Sequence, residues 1–201
     1  MTTIEACQPF FEYMRKSVEL DADTMQLIAD HSNEVTLPPK HFILQEGKAC
    51  DKVYFVVSGT ARSYYTDFSG KTITWSFHFN TPASISKNLF AVDYRAFLTS
   101  QLSSVTIETL SELNALVFPK TQVNYLIEKS LLYERWMRKL NENAFLHMYE
   151  RAFTLLTLAA TERYNKLLKE ESHLLQMFSS HYIASYLGIA PQSLSRIKGQ
   201  H

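Results

Sequence analysis

The sequence predicts an α+β protein: a helical entry, a β-rich barrel or sandwich, one long helix and a terminal helix-turn-helix. Three observations predict it. Between Val35 and Phe118, short runs rich in β-branched and aromatic residues alternate with glycine-bearing turns, at the roughly 8–12-residue spacing of barrels and sandwiches. From Pro119 onward the apolar period becomes that of a helix. Near the end, His181 to Lys198 reads as two short helices around a tight turn.

The entry, from about Met1 to Asn33, carries one apolar stripe at Phe10, Phe11, Met14 and Val18. A second begins at Met25, Leu27, Ile28 and Ala29, with Asp21 or Asp23 placed to cap it. Both read as a helical lid on the unit that follows. In that unit His41–Leu44, Val53–Val57, Ala61–Thr66 and Thr72–Phe79 are strands, punctuated at Gly47, Gly59, Gly70 and Asn80-Thr81-Pro82. A short helical piece is expected around Lys87 to Leu98, then strands at Ser104–Glu108 and Ala115–Phe118.

Pro119 opens the long helix, which is expected to run past Met148. Leu126, Ser130, Tyr133, Met137, Leu140, Ala144 and His147 recur at alternating intervals of four and three, a heptad-like seam suited to pairing with a second copy. The alternative is packing on the barrel, for which Leu132, Trp136 and Phe145 supply another face. Arg151 to Lys169 continues as helix, and Leu174–Phe178 is a short strand candidate.

In the last stretch Ile183, Ala184 and Leu187 share a face, Gly188 stops the first helix, and Pro191 opens the second. Leu194 and Ile197 form the buried side of that helix. Gln192, Ser193, Ser195, Arg196 and Lys198 are left outside, where a second helix enters a major groove. Arginine suits guanine, glutamine adenine, and serine a base or a phosphate. From Ser172 to His201 there is no Asp or Glu, although a hairpin that merely closes the fold would look similar.

Composition bounds the function. The 201 residues hold 20 basic and 20 acidic side chains, so nucleic-acid binding must come from a local patch. Cys7 and Cys50 are the only cysteines. They have no zinc or iron–sulfur spacing, which points to a reducing cytoplasm. No apolar run approaches the roughly 20 residues of a membrane span, and the start does not resemble a signal peptide. Phosphate-loop, nucleophile-elbow and His-Glu-x-x-His motifs are lacking, so an enzyme is not expected.

The order of these units resembles the Crp/Fnr superfamily of bacterial transcription regulators over nearly the whole chain. The matching pieces are Gly47, Gly59 and Gly70, the phrase Asp51–Gly59, and Ile183–Ile189 followed by Leu194–Ile197; the last resembles the Bacteroidetes-type branch. The resemblance implies a cyclic-nucleotide-binding-like jelly roll with N-terminal helices (1–118), a dimerisation helix (119–148) and a winged-helix-type helix-turn-helix domain (149–201). It implies a homodimer on double-stranded DNA, with Gln192, Ser193 and Arg196 reading bases. Ser179, Ser180, Ser195 and Lys198 would meet phosphates. A ligand-binding or protein-interaction module with a degenerate helix-turn-helix is the alternative.

One departure stands out. Family members that bind cyclic nucleotides carry a Gly-Glu pair and a later Arg-Ser pair. Here the first region is Ala83–Phe90 without Gly-Glu, and the second is Ser103-Ser104, without the phosphate-pairing arginine. Lys87 is a point charge without the bidentate fork, so cyclic AMP and cyclic GMP are not expected to bind well. The roll either holds another small molecule, lined by Arg62, Tyr64, Trp75, Lys87, Gln101, Ser103 and Ser104, or is filled by side chains. No metal or cofactor is expected; His78, the one histidine to consider for haem, reads as structural.

Overall fold

The computed structural model describes residues 3–81 and 87–199. Two helices lead in, α1 (Gln8–Arg15) and α2 (Ala22–Asp30). Asp21 caps α2 by accepting the Thr24 N–H at 2.7 Å, one of the two caps expected.

Among the described residues eight strands follow: β1 (Asn33–Leu37), β2 (Phe42–Leu44), β3 (Lys52–Ser58), β4 (Thr60–Thr66), β5 (Thr72–Phe79), β6 (Phe90–Ala91), β7 (Thr106–Thr109) and β8 (Leu113–Pro119). They form two antiparallel four-stranded sheets, ordered β1-β8-β3-β6 and β2-β7-β4-β5, the wrapped pairing of a jelly roll. The stretch expected as a helix from Lys87 to Leu98 splits into β6 and a short helix α3 (Tyr94–Thr99), capped by Asp93. Gly59 is the corner where the chain leaves one sheet for the other. Its φ is +92°, and a Cβ there would collide with the Glu112 carbonyl oxygen, so only glycine fits.

The interior of the roll is apolar and closed by helices. Phe10 on α1 packs its ring 5.0 Å from Phe55, 4.9 Å from Phe118 and 5.1 Å from Trp136. This cluster joins the entry helices, the sheet β1-β8-β3-β6 and the long helix into one core, so the lid reading of the entry holds.

After the roll come α4 (Lys120–Lys129), α5 (Leu131–Thr157), α6 (Ala160–Glu170), α7 (Leu174–Met177), α8 (Ser180–Leu187) and α9 (Pro191–Lys198). The expected long helix is therefore two helices with a break at Ser130, and the second runs nine residues beyond Met148. Ser130 makes the break. Its hydroxyl accepts the Tyr133 N–H at 3.2 Å as the N-cap of α5, and pairs with Thr24 Oγ1 at 3.0 Å.

That break corrects the expected dimer seam. Leu126, Ser130, Tyr133 and Leu140 are buried in their own chain's core, and Met137 packs partly against it. Trp136 is buried there too, as expected, whereas Phe145 is exposed rather than packed on the roll. Ala144 is partly buried and His147 exposed. Beyond Leu140, α5 exposes Phe145, Tyr149, Phe153 and Leu156 on one side, while Arg151 on another is buried against β5. Leu158 ends α5, and Glu162 starts α6 by accepting the Ala159 N–H at 2.7 Å.

Leu174–Phe178, expected as a strand, is instead the turn of helix α7 with Phe178 as its cap. A short apolar run cannot be assigned by period alone, and Leu174 is claimed by the helical cluster around it. Among the described residues every strand precedes α4, and the terminal unit is helical.

Candidate nucleic-acid interface

α8 and α9 are built as the local chemistry requires. Ser179 caps α8 by accepting the Tyr182 N–H at 3.3 Å. Gly188 ends it in the left-handed region at φ +68°, where a Cβ would press to 3.0 Å of the Arg163 guanidinium. Arg163 in turn donates to the Leu187 carbonyl at 2.7 Å, which satisfies an end group of α8. Ala190 precedes Pro191 at the first turn of α9. Leu194 and Ile197 are buried against Ile183, Ala184 and Leu187, and α6 contributes Tyr164 and Leu167 to the same cluster.

The outer face of α9 presents Gln192, Ser195, Arg196 and Lys198 to solvent, with Ser193 partly buried. Ser195 donates to the Pro191 carbonyl at 3.2 Å, and Lys198 reaches the exposed Ser180 hydroxyl at 3.2 Å. Six of the seven residues expected at a DNA surface are therefore exposed together, on α9 and at the start of α8. Ser179 is one of them, as the cap of α8.

The other side of α8 rests on the roll. β5 is the edge of its sheet, and Ser185 reaches that edge: its hydroxyl accepts the Thr74 N–H at 2.8 Å and donates to the Thr72 carbonyl at 3.0 Å. A serine hydroxyl thus supplies the donor and acceptor that a neighbouring strand would give. Phe77 on β5 stacks on Phe178, centroids 3.9 Å apart and planes 11° apart. Arg151 on α5 donates from Nη2 to the Thr74 carbonyl at 3.4 Å and to the Tyr186 carbonyl, so it ties β5 to α8.

Several residues expected to line a ligand pocket take part in this docking instead. Arg62 is buried on the outer face of β4, its guanidinium carbon 4.3 Å from the Tyr64 ring centroid and 4.2 Å from that of Tyr182 on α8. Its Nη2 lies 3.6 Å from Glu108 Oε2. Trp75 sits 5.9 Å from the Arg151 guanidinium and 5.7 Å from the Tyr65 ring. Lys87 lines a cleft between the roll and the terminal helices, and Gln101 is exposed, accepting from Arg95 at 2.6 Å. Residues 83–86 of the region expected to lack Gly-Glu, and Pro82, lie outside the described residues.

Only Ser103 and Ser104 stay together inside the roll, and both face Asp93. Ser103 donates to Asp93 Oδ2 at 2.8 Å, and the Ser104 N–H approaches the same oxygen at 3.3 Å. The other oxygen, Oδ1, accepts the Ala96 N–H at 3.1 Å, leaving a buried, fully engaged carboxylate. His78 is buried and pairs through Nε2 with Ser63 Oγ at 2.6 Å. Burial pushes its pKa down from 6.5 to about 4, so it is neutral at ordinary pH.

Sequence reasoning missed Asp93, Arg151, Tyr182 and Ser185. The one available signal was Ser185, a hydroxyl within the five consecutive buried residues Ile183–Leu187 of α8, a run too apolar for a helix buried on one face only.

Roll, long helix and docked helical pair together define a jelly-roll domain joined to a helix-turn-helix unit. Residues 34–130 match the family model of the cyclic nucleotide-binding domain. Among solved structures, FixK2 from Bradyrhizobium japonicum is 19% identical with a TM-score of 0.70, over 84% of this chain and 83% of that one. The c-di-GMP-responsive global regulator CLP of Xanthomonas campestris is 16% identical with a TM-score of 0.66, over 90% and 91%. A transcriptional regulator of the crp/fnr family from Eubacterium rectale is 18% identical with a TM-score of 0.65, over 89% and 82%. No curated protein resembles the sequence closely enough to count as a match. The fold is that of the Crp/Fnr transcription regulators, carrying a cyclic nucleotide-binding domain.

Proposed function

We propose that this protein is a homodimeric, sequence-specific DNA-binding transcription regulator of the cytoplasm, not an enzyme, and that it does not respond to cyclic AMP. The observation that carries the reading is the exposed polar edge of α9, with Gln192, Ser195, Arg196 and Lys198 on a helix whose opposite side is fixed by Leu194 and Ile197. Gln192, Ser193 and Arg196 are assigned to bases; Ser179, Ser180, Ser195 and Lys198 are assigned to phosphates.

Pairing is assigned to the free part of α5 rather than to the seam first expected. Phe145, Tyr149, Phe153 and Leu156 repeat at helical spacing on an exposed face, which is the kind of stripe that a second copy covers. Two α9 helices held by such a pair would be about 34 Å apart on successive major grooves.

Indifference to cyclic AMP is supported by Asp93. The Ser103-Ser104 pair stands where the resemblance places the phosphate-binding Arg-Ser pair, and its hydroxyl and N–H are already taken by a carboxylate of this chain. A phosphate there would meet a like charge and no guanidinium. Selection of bound duplexes from a random pool, followed by binding at rising salt, tests the DNA assignment. A half-site repeat spaced one helical turn, with affinity falling steeply with salt, is the expected result. Binding to no duplex at low salt would refute it.

A further inference from the structure

A cleft of about 560 Å³ opens outside the roll, between β5, the second half of α5, α6 and the end of α8, a size typical of small-molecule sites. Four cationic side chains line it (Lys87, Arg151, Arg163 and Lys166) against three carboxylates (Glu150, Glu170 and Glu171).

The carboxylates are already engaged. Glu150 and Glu170 lie 3.3 and 3.8 Å from Lys166 Nζ, and Glu171 accepts the Tyr186 hydroxyl at 3.1 Å. Among the described residues, Lys87, Arg151 and Arg163 have no ion-pair partner. Arg151 is the unusual one. It is 8% exposed; its guanidinium carbon lies 3.8 Å from the Tyr186 ring centroid and 5.9 Å from that of Trp75, and its Nε meets no acceptor. Such a charge, left uncompensated, is costly. Burial accordingly pushes its pKa below the ordinary guanidinium value.

We propose that this cleft binds a small polyanion, a phosphate- or carboxylate-bearing metabolite, held by Arg151, Arg163 and Lys87. The site is separate from the roll interior, and the proposal goes beyond the DNA-binding reading because the cleft takes its anion whether or not α9 reads DNA. Its position gives the ligand leverage. Arg151 holds the Thr74 carbonyl on β5 and the Tyr186 carbonyl on α8, and Arg163 holds the last turn of α8, so an anion on these two arginines tightens the seat of the helix-turn-helix.

The test uses the full chain without DNA. Pyrophosphate and citrate are titrated separately at constant ionic strength, with calorimetry and the thermal midpoint as readouts. The expected result is saturation by one or both anions at or below about 1 mM with a raised midpoint, and the arm that saturates tells phosphate from carboxylate chemistry. Lys87→Gln, at an exposed position, should weaken binding about fivefold or more, Lys87→Arg should retain it, and Lys48→Gln, outside the cleft, should be neutral. Failure of both anions to saturate, or equal weakening by Lys87→Gln and Lys48→Gln, overturns the site. Since no DNA is present, neither outcome bears on the reading of α9.

Discussion

Arg62 and Tyr182 meet across the boundary between the roll and the helix-turn-helix, the guanidinium carbon 4.2 Å from the phenol ring centroid. With the Tyr64 ring centroid 4.3 Å away and Glu108 Oε2 3.6 Å from Nη2, Arg62 is a buried charge held between the two units. Each cation–aromatic face contributes roughly 0.5–2 kcal/mol when desolvated, and removing the cation leaves Glu108 without its partner. Arg62→Ala should therefore lower stability by about 2–3 kcal/mol in urea unfolding and speed amide exchange at Thr74 beneath Ser185. Arg62→Lys should not recover it, since an ammonium has no flat face to stack. Unchanged exchange at Thr74 would show that this contact does not hold the units together.

That contact also explains why part of the site was not legible in the sequence. Both faces of β4 are buried, one on the roll core through Ala61 and Ser63, the other under α8 through Arg62, and a bulge follows between Ser63 and Tyr64. Alternation in sequence gives two faces but not which one points inward. Arg62 and Tyr64 consequently read as pocket lining. The helix-turn-helix was legible because its signals are local: the shared face of Ile183, Ala184 and Leu187, a stop at Gly188, and Pro191 at a first turn. The seam failed for a local reason too. Ser130 fits a heptad, but a serine three residues before Tyr133 at the head of an apolar run is equally a helix start, and tertiary packing chose the cap.

His78 gives the fold a pH dependence. Its native pKa of about 4 lies below the ordinary 6.5, so the unfolded chain binds the extra proton between those values and stability rises with pH across that window. The contribution is fully present above about pH 6.5 and is lost as pH falls toward 4, of order 3 kcal/mol in all. His173, also pushed down by burial, acts in the same direction. Chemical unfolding of His78→Gln, which keeps a partner for Ser63, should show a visibly flatter slope between pH 6.5 and 4 than the parent chain. An identical slope would mean that His78 does not titrate on unfolding.

Titration calorimetry with cyclic AMP should show no submicromolar binding. Asp93 is a buried carboxylate whose oxygens already take the Ser103 hydroxyl and the Ser104 and Ala96 N–H groups. Displacing it would strip the cap from α3 and leave those donors unsatisfied, at about 1–3 kcal/mol each. Tight binding would mean that the carboxylate swings away on ligation.

The free half of α5 carries the assembly prediction. Tyr149→Lys combined with Phe153→Glu places charges in the exposed stripe without touching the core, because both side chains are solvent-facing in one chain. Sedimentation should then give the 23.2 kDa monomer, against twice that mass for the parent. Substituting Met137, in the seam first expected, should instead lower stability, since that residue packs on the roll core. A parent chain that sediments as a monomer at micromolar concentration would remove the basis for paired half-sites.

Arg196 is the sharpest probe of how α9 meets DNA. It lies in the last turn of α9 on the exposed face, away from Leu194 and Ile197, and its loss should leave the fold intact. If Arg196 reads a guanine through two hydrogen bonds, Arg196→Ala should cost about 1–3 kcal/mol on the selected site and flatten base preference at one position per half-site. Lys198, assigned to a phosphate, should behave differently. Lys198→Ala should weaken all sequences alike and reduce the salt slope by about one, with no change of preference. If the two variants exchanged these signatures, α9 would lie in the groove with its opposite flank toward the bases.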